Sequence, residues 1–209
     1  CIWTARNKVN GYPFVTTIAE NLHYRTAQAL PDQKPESYIQ AMAPVIQTYN
    51  RGGFVVDTIH CDNEFKPLVT EMFDKYHITM NMANPQEHVP AIERSNRVIK
   101  ERVRAGFHVV PFSRLPKILV QYFVMESAKK LNYFPPKGGI SPYYSPRMIV
   151  HHENLEFEKH CEIPFGHYVQ AHDEPTHKNS LAPRTRDCLY LRDVANQQGG
   201  HELLDLRTK

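Results

Sequence analysis

Asp62 closes the strongest strand signal in the chain, the run Phe-Val-Val-Asp-Thr-Ile-His-Cys at 54–61, and Glu93 follows 31 positions later in a stretch of helical periodicity. Carboxylates that emerge from a strand end and a helix can converge on one divalent cation, and an oxygen-rich site of that kind suits Mg²⁺ or Mn²⁺. Asp62 and Glu93 are therefore the candidate catalytic and metal-binding pair. In a chain with 22 acidic residues such a spacing also arises by chance, so the neighbourhood has to decide. At ~100° per residue, Arg97, Lys100 and Arg104 all fall within about 40° of Glu93, while Ile92, Ile99 and Val103 form a stripe on another side. A helix of this design buries one face and offers an acid and three cations on another. Ordinary salt-bridge decoration fits poorly, because Glu101 is the one further acid within helical reach. A row of cations leading away from a metal carboxylate matches a phosphodiester backbone, which makes Arg97, Lys100 and Arg104 candidate DNA-binding residues.

The elements that must hold these residues are legible in outline. Residues 13–19 are β-branched and aromatic and can pair with 23–29 as a hairpin. Tyr38, Met42, Val45, Ile46 and Tyr49 repeat at helical spacing over 35–50, with Pro44 predicting a kink or a break. The strand at 54–61, a helix over 64–76 and a short strand at 78–82 make a βαβ crossover. Long helices are predicted over 86–107 and 115–134, the second apolar on much of its surface and so buried. The Pro/Gly/Ser-rich stretch 135–149 is a connector, and short strands at 163–171, 187–192 and 201–206, the last two joined by a turn at 196–200, form a small β-rich module over 150–209.

Composition sets the outer bounds. With 41% hydrophobic and 22% charged residues over 209 positions, the chain is an ordinary globular one, which excludes disorder as the main state and a disulfide mini-protein. Twenty-five Lys and Arg against 22 Asp and Glu is too small a surplus to specify a polyanionic partner, but 93–117 carries seven cations and two acids. The basic charge is concentrated on and beside the candidate helix. Cys1, Cys61, Cys161 and Cys188 are widely spaced, as expected in a reducing compartment. Neither an apolar span nor a basic-then-apolar leader is present, so the expectation is a protein that is not secreted and has no membrane partner, read here as a piece of a larger product. His151, His152, His160 and Cys161 would suffice for zinc, yet their spacing matches no familiar zinc pattern.

The run Cys-Asp-Asn-Glu-Phe at 61–65, followed by Ala-Asn-Pro-Gln-Glu-His-Val-Pro-Ala-Ile-Glu-Arg-Ser-Asn-Arg-Val-Ile-Lys-Glu-Arg-Val-Arg-Ala at 83–105, resembles the integrase core of copia-type LTR retrotransposons. Val-Asn-Gly-Tyr-Pro-Phe at 9–14, Gly-Gly-Ile-Ser-Pro and Ser-Pro-Arg within 138–147, and Phe-Gly-His-Tyr-Val-Gln at 165–170 add to it. Arg-Thr at 184–185 and Asn-Gln-Gln-Gly-Gly at 196–200 close the series. A collinear set over nearly the whole chain is more specific than any one of its parts.

The resemblance implies an α/β, ribonuclease-H-like core over 1–134, a mixed sheet flanked by helices, and a tail that leads toward reverse transcriptase in the same Pol polyprotein. It implies integrase chemistry, in which an Asp, Asp, Glu triad holds two Mg²⁺ or Mn²⁺ that stabilise the entering and leaving oxygens of phosphodiester transfer. Asp62 matches the second acid and Glu93 the third. Element ends and target DNA, a homo-oligomer and the neighbouring reverse transcriptase region are the implied partners, in the nucleus or a cytoplasmic virus-like particle. Two departures stand out. The family's first Asp lies five residues before the Asn of Val-Asn-Gly, where this chain has Ala5, and no acid occurs before Glu20. The interval from Asp62 to Glu93 is shorter than in most relatives, with Glu87 as a substitute acid. The expectation is an integrase region that binds nucleic acid and is catalytically impaired; the alternative is a non-catalytic or domesticated ribonuclease-H-like relic that binds nucleic acid or protein.

Overall fold

Asn10 and Gly11 both take positive φ, 53° and 81°, the geometry of a two-residue type I′ turn, and join β1 (Ile2–Val9) and β2 (Tyr12–Ala19) as a tight antiparallel hairpin. The structure, a computed structural model, describes residues 1–83, 90–172, 183–194 and 198–207. β3 (Arg25–Ala29) adds to β2 in the antiparallel sense, as the periodicity predicts. β4 (Thr58–Cys61) and β5 (Thr79–Met82) then add in parallel on the other side of β1, giving the order β3-β2-β1-β4-β5.

Alternation along the strands sends side chains to two separate layers. Ile2, Val15 and Ile59 meet Tyr38, Met42, Val45 and Tyr49 of α1 (Pro35–Arg51) on one face. Phe14 and Ala27 meet Ile99 and Val103 of α3 (Pro90–Phe107) and Leu119, Phe123 and Val124 of α4 (Lys117–Lys130) on the other. Full burial of a side chain such as Ile99 or Val15 is worth ~1.5–3 kcal/mol, so these two layers hold the sheet.

Pro44 does not break α1, which runs unbroken as one helix. The carbonyl that loses its donor there is that of Gln40, an exposed residue, so the missing bond is not left in the core. The strand predicted at 54–61 starts only at Thr58: Phe54 donates its N–H to Tyr49 O at 2.9 Å and Val55 is 85% exposed, so the apolar residues before Thr58 wrap the helix end rather than extend the sheet. The helix predicted over 64–76 is a 3-10 turn (Asn63–Leu68) followed by α2 (Val69–Tyr76), since Pro67 cannot donate to the carbonyl one α-turn earlier. The beginning of the helix predicted at 86–107 lies outside the described residues, as do residues 196 and 197 of the predicted turn at 196–200.

Beyond α4, α5 (Pro146–His151) begins inside the stretch read as a connector, and its Val150 joins the layer under α1. A second sheet of β6 (Tyr168–His172), β7 (Thr185–Asp193) and β8 (His201–Asp205) is fully antiparallel. It docks on α4 through Leu189 and Leu191, and Phe165 stacks on Phe123 with ring centroids 4.5 Å apart and planes 2° from parallel. Gly106 of α3 lies where an added Cβ would stand 2.5 Å from the Phe123 ring, so the crossing of α3 and α4 needs the missing side chain. Among the described residues no helix is long and apolar enough to cross a membrane, and all four cysteines are unbridged.

Candidate nucleic-acid interface

Asp62 stands exposed where β4 ends and the 3-10 turn begins, and the residue before it is fixed on both sides. The Cys61 carbonyl accepts the Ala83 N–H at 2.9 Å, and the Cys61 side chain is completely buried. Burial and the Asp62 charge push the Cys61 thiol up to about 12, so it is held as a thiol and is no nucleophile.

The parallel pairing of β1 with β4 matches Ile2 to Ile59 and Trp3 to His60. The same register, continued by two positions, puts Ala5 beside Asp62. Ala5 faces the α3 side, 7% exposed, and forms a small apolar cluster with Ile18 and Ile92 to which Ala83 adds. Glu93 follows Ile92 directly in the first turn of α3, where a carboxylate is favoured by the helix dipole. Asp62 and Glu93 are thus each anchored next to one cluster that ties β1, β2, α3 and the end of β5 together. The Thr16 hydroxyl, 2.6 Å from Asn96 Oδ1, locks the same turn of α3 to β2.

The three candidate cations divide. Arg97, its side chain 80% exposed, donates from Nε to Glu101 Oε1 at 3.1 Å, the i,i+4 pair that the sequence reading discounted. Such an exposed pair is worth ~0.3–0.5 kcal/mol, little enough for a phosphate to displace it. Lys100 and Arg104 instead line a groove of about 710 Å³ between the end of α3, the β1–β2 hairpin and the loop before α4. Lys8 and Arg114 reach the same groove, and sequence reasoning singled out neither. Lys8 sits two residues before the Asn-Gly turn, the signal that would have placed it.

No other described acid completes a triad. Glu20 follows β2 at the edge where its N–H meets the Cys1 carbonyl, and Asp57 precedes β4 and pairs with the Cys1 amine at 3.6 Å. Both lie at the opposite strand ends from Asp62. Glu64 is held by Arg6 at 3.0 Å, and the Arg6 guanidinium in turn lies over the Tyr38 ring. Glu87 lies outside the described residues. Among the described residues no group of three or more His, Cys, Asp and Glu side chains comes together as a metal site. The histidines have other work: His151 bonds the Tyr24 hydroxyl, His152 the Gly52 carbonyl and His160 the Glu156 carbonyl, while His60 contacts Asn81.

The fold of the chain is shared with solved structures. The chain aligns with the catalytic core domain of BIV integrase at a TM-score of 0.54 and 18% identity, covering 72% of this chain and 93% of that one. The fold is ribonuclease-H-like. A second integrase core, that of HTLV-2 in a trimeric form in complex with magnesium, matches at a TM-score of 0.51 and 18% identity over 72% of this chain and 95% of that one. No protein-family model and no curated protein sequence matches the chain. Within this fold the donor set does not fit a two-metal centre: the position beside Asp62 on the central strand carries the methyl group of Ala5, packed against Ile18 and Ile92. Asp62 and Glu93 are both exposed carboxylates.

Proposed function

We propose that this chain is the integrase region of a copia-type retrotransposon Pol polyprotein, which binds DNA along α3 and has lost strand transfer. The carrying observation is Ala5, buried on the central strand where the family resemblance puts the first acid of the triad, at the position that the β1–β4 register, continued by two residues, matches to Asp62. The collinear resemblance supports the family, and the likeness to integrase cores supports the architecture. On this reading Asp62 and Glu93 are the surviving catalytic acids and hold Mg²⁺ or Mn²⁺ weakly, and Arg97, Lys100 and Arg104 grip the phosphodiester backbone. The core of 1–134, the connector and the β-rich tail then act on DNA as one oligomeric unit beside reverse transcriptase, in the nucleus or a cytoplasmic virus-like particle.

The test is DNA affinity as a function of salt, for the unmodified chain and for an Arg97→Ala/Lys100→Ala/Arg104→Ala variant. Each lost phosphate contact lowers the slope of log K against log salt by about 0.9 on duplex DNA, so a drop of about 2 to 3 with weaker binding is expected. Unchanged affinity in the triple variant overturns the α3 interface.

A further inference from the structure

The groove beside α3 gathers Lys8 from β1, Lys100 and Arg104 from α3 and Arg114 from the loop before α4, four cations from three separate parts of the chain. No carboxylate lines it, and no described acid pairs with any of the four. Like charges gathered around one groove disfavour the empty fold, and a polyanion seated among them removes that cost. The floor is different in character. Val103 and Phe107 of α3 and the buried Phe123 of α4 form an apolar base under the cationic rim.

That combination discriminates between forms of nucleic acid. Duplex DNA keeps its bases stacked and offers a protein surface mainly phosphates, for which an apolar floor does nothing. An unpaired strand offers phosphates and a free base face together, and such strands bind where a basic groove surrounds side chains that bases can lie against. The volume of about 710 Å³ lies within the ~300–1,000 Å³ typical of small-molecule sites, room for a nucleotide rather than a duplex. The groove is also continuous with the α3 row, since Lys100 and Arg104 belong to both.

We infer that this groove is a single-strand site, in which Lys8, Lys100, Arg104 and Arg114 hold the phosphates of an unpaired nucleic-acid segment and Phe107 underlies its base. The inference rests on the proposed DNA-binding function and adds a second, strand-selective site to the α3 interface. Lys8 and Arg114 belong to the groove alone, so they separate the two.

The experiment measures binding of the full chain to a short fluorescein-labelled single strand and to the duplex of the same sequence, with a Lys8→Gln/Arg114→Gln variant and a Phe107→Ala variant. Lys8 and Arg114 are exposed, so the double variant should keep the melting curve of the unmodified chain. The expected result is about a tenfold loss on the single strand, a salt slope lower by about 1.4, and duplex binding within about twofold. Phe107→Ala should weaken the single strand and spare the duplex. Equal losses on both forms, or none on the single strand, overturn the groove while leaving the α3 interface standing. Displacement of the single strand by a polyglutamate peptide in the unmodified chain but not in the double variant also overturns it, in favour of an acidic protein segment. Absence of any nucleic-acid binding overturns the groove and the proposed function together.

Discussion

The methyl group of Ala5 packs against Ile92, the residue that directly precedes Glu93 on α3. A carboxylate at position 5 would therefore project from the central strand at the foot of the helix that carries the one candidate acid, beside the other at Asp62. On the proposed function, position 5 is where the first acid of the triad has given way to a small apolar side chain that packs in this cluster.

The position of Glu93 depends on how α3 seats on the sheet, and Ile99 at its middle is completely buried. Ile99→Ala should cost ~2–5 kcal/mol in urea unfolding. Thr16→Val should cost ~1–3 kcal/mol, because Asn96 Oδ1 loses its short hydrogen bond. If Thr16→Val leaves both stability and DNA affinity unchanged, the Thr16–Asn96 contact does not position the helix.

Glu101 holds the Arg97 guanidinium at 3.1 Å, and on the proposed function it competes with DNA for it. Glu101→Gln frees that guanidinium and removes a repelling charge, and should tighten DNA binding by about two- to fivefold at low salt, since exposed pairs are worth ~0.2–1 kcal/mol. The gain should fade above about 0.5 M salt, where screening is short-ranged. Fluorescence anisotropy across a salt series checks both parts.

Gly106→Ala trades a modest gain in helix propensity, up to ~1 kcal/mol, against a Cβ placed 2.5 Å from the Phe123 ring. That ring is stacked on Phe165 and cannot withdraw, so overpacking at ~1–3 kcal/mol wins and the melting temperature should fall. A rise in melting temperature would show that Phe123 has room to move.

The contact between α4 and β7 carries a pH dependence with two opposite signs. Burial pushes the Asp193 carboxyl upward, but the Lys129 charge, with hydrogen bonds from Lys129 (2.8 Å) and the Tyr133 hydroxyl (2.8 Å), outweighs it and holds Asp193 below the usual range. Its stabilisation is present above the unfolded value of ~3.9 and is lost as pH falls through the folded value. Burial holds Glu126 above its usual range against the opposing charges of Lys129 and Lys130, whose amines lie 4.0 and 3.5 Å from its oxygens. It favours the fold while protonated, below ~4.3, and that contribution is lost as pH rises through the folded value. Asp193→Asn should therefore destabilise strongly near neutral pH, by ~3–5 kcal/mol, and the deficit should shrink below about pH 4. Glu126→Gln should raise the melting temperature near neutral pH relative to the unmodified chain and lose that advantage on acidification. Thermal melts of both variants across pH check the pair of signs.

Much of the sheet and its helices was legible because hydrophobic periodicity and tertiary position agree. Tyr38, Met42, Val45 and Tyr49 repeat at helical spacing, and all four are buried in one layer. The places of Asp62 at the end of β4 and of Glu93 in the first turn of α3 were legible from strand and helix periodicity. The first strand was not: its residues alternate weakly, and only the Asn10–Gly11 turn marks it as half of a hairpin. Phe54 and Val55 read as strand because apolarity alone does not tell a sheet residue from one that wraps a helix end. Lys8 and Arg114 escaped notice because they join Lys100 through tertiary approach of three elements, which no spacing along the chain encodes.

The most direct measurement is Mn²⁺-dependent nicking and strand transfer on labelled DNA, comparing the unmodified chain with an Ala5→Asp variant whose melting curve shows that it is folded. On the proposed function the unmodified chain is inactive and the variant cleaves, because the carboxylate at position 5 would stand beside Asp62 and next to the Ile92–Glu93 turn. Cleavage by the unmodified chain would contradict it, since another carboxylate would then have to complete the site that Ala5 leaves open.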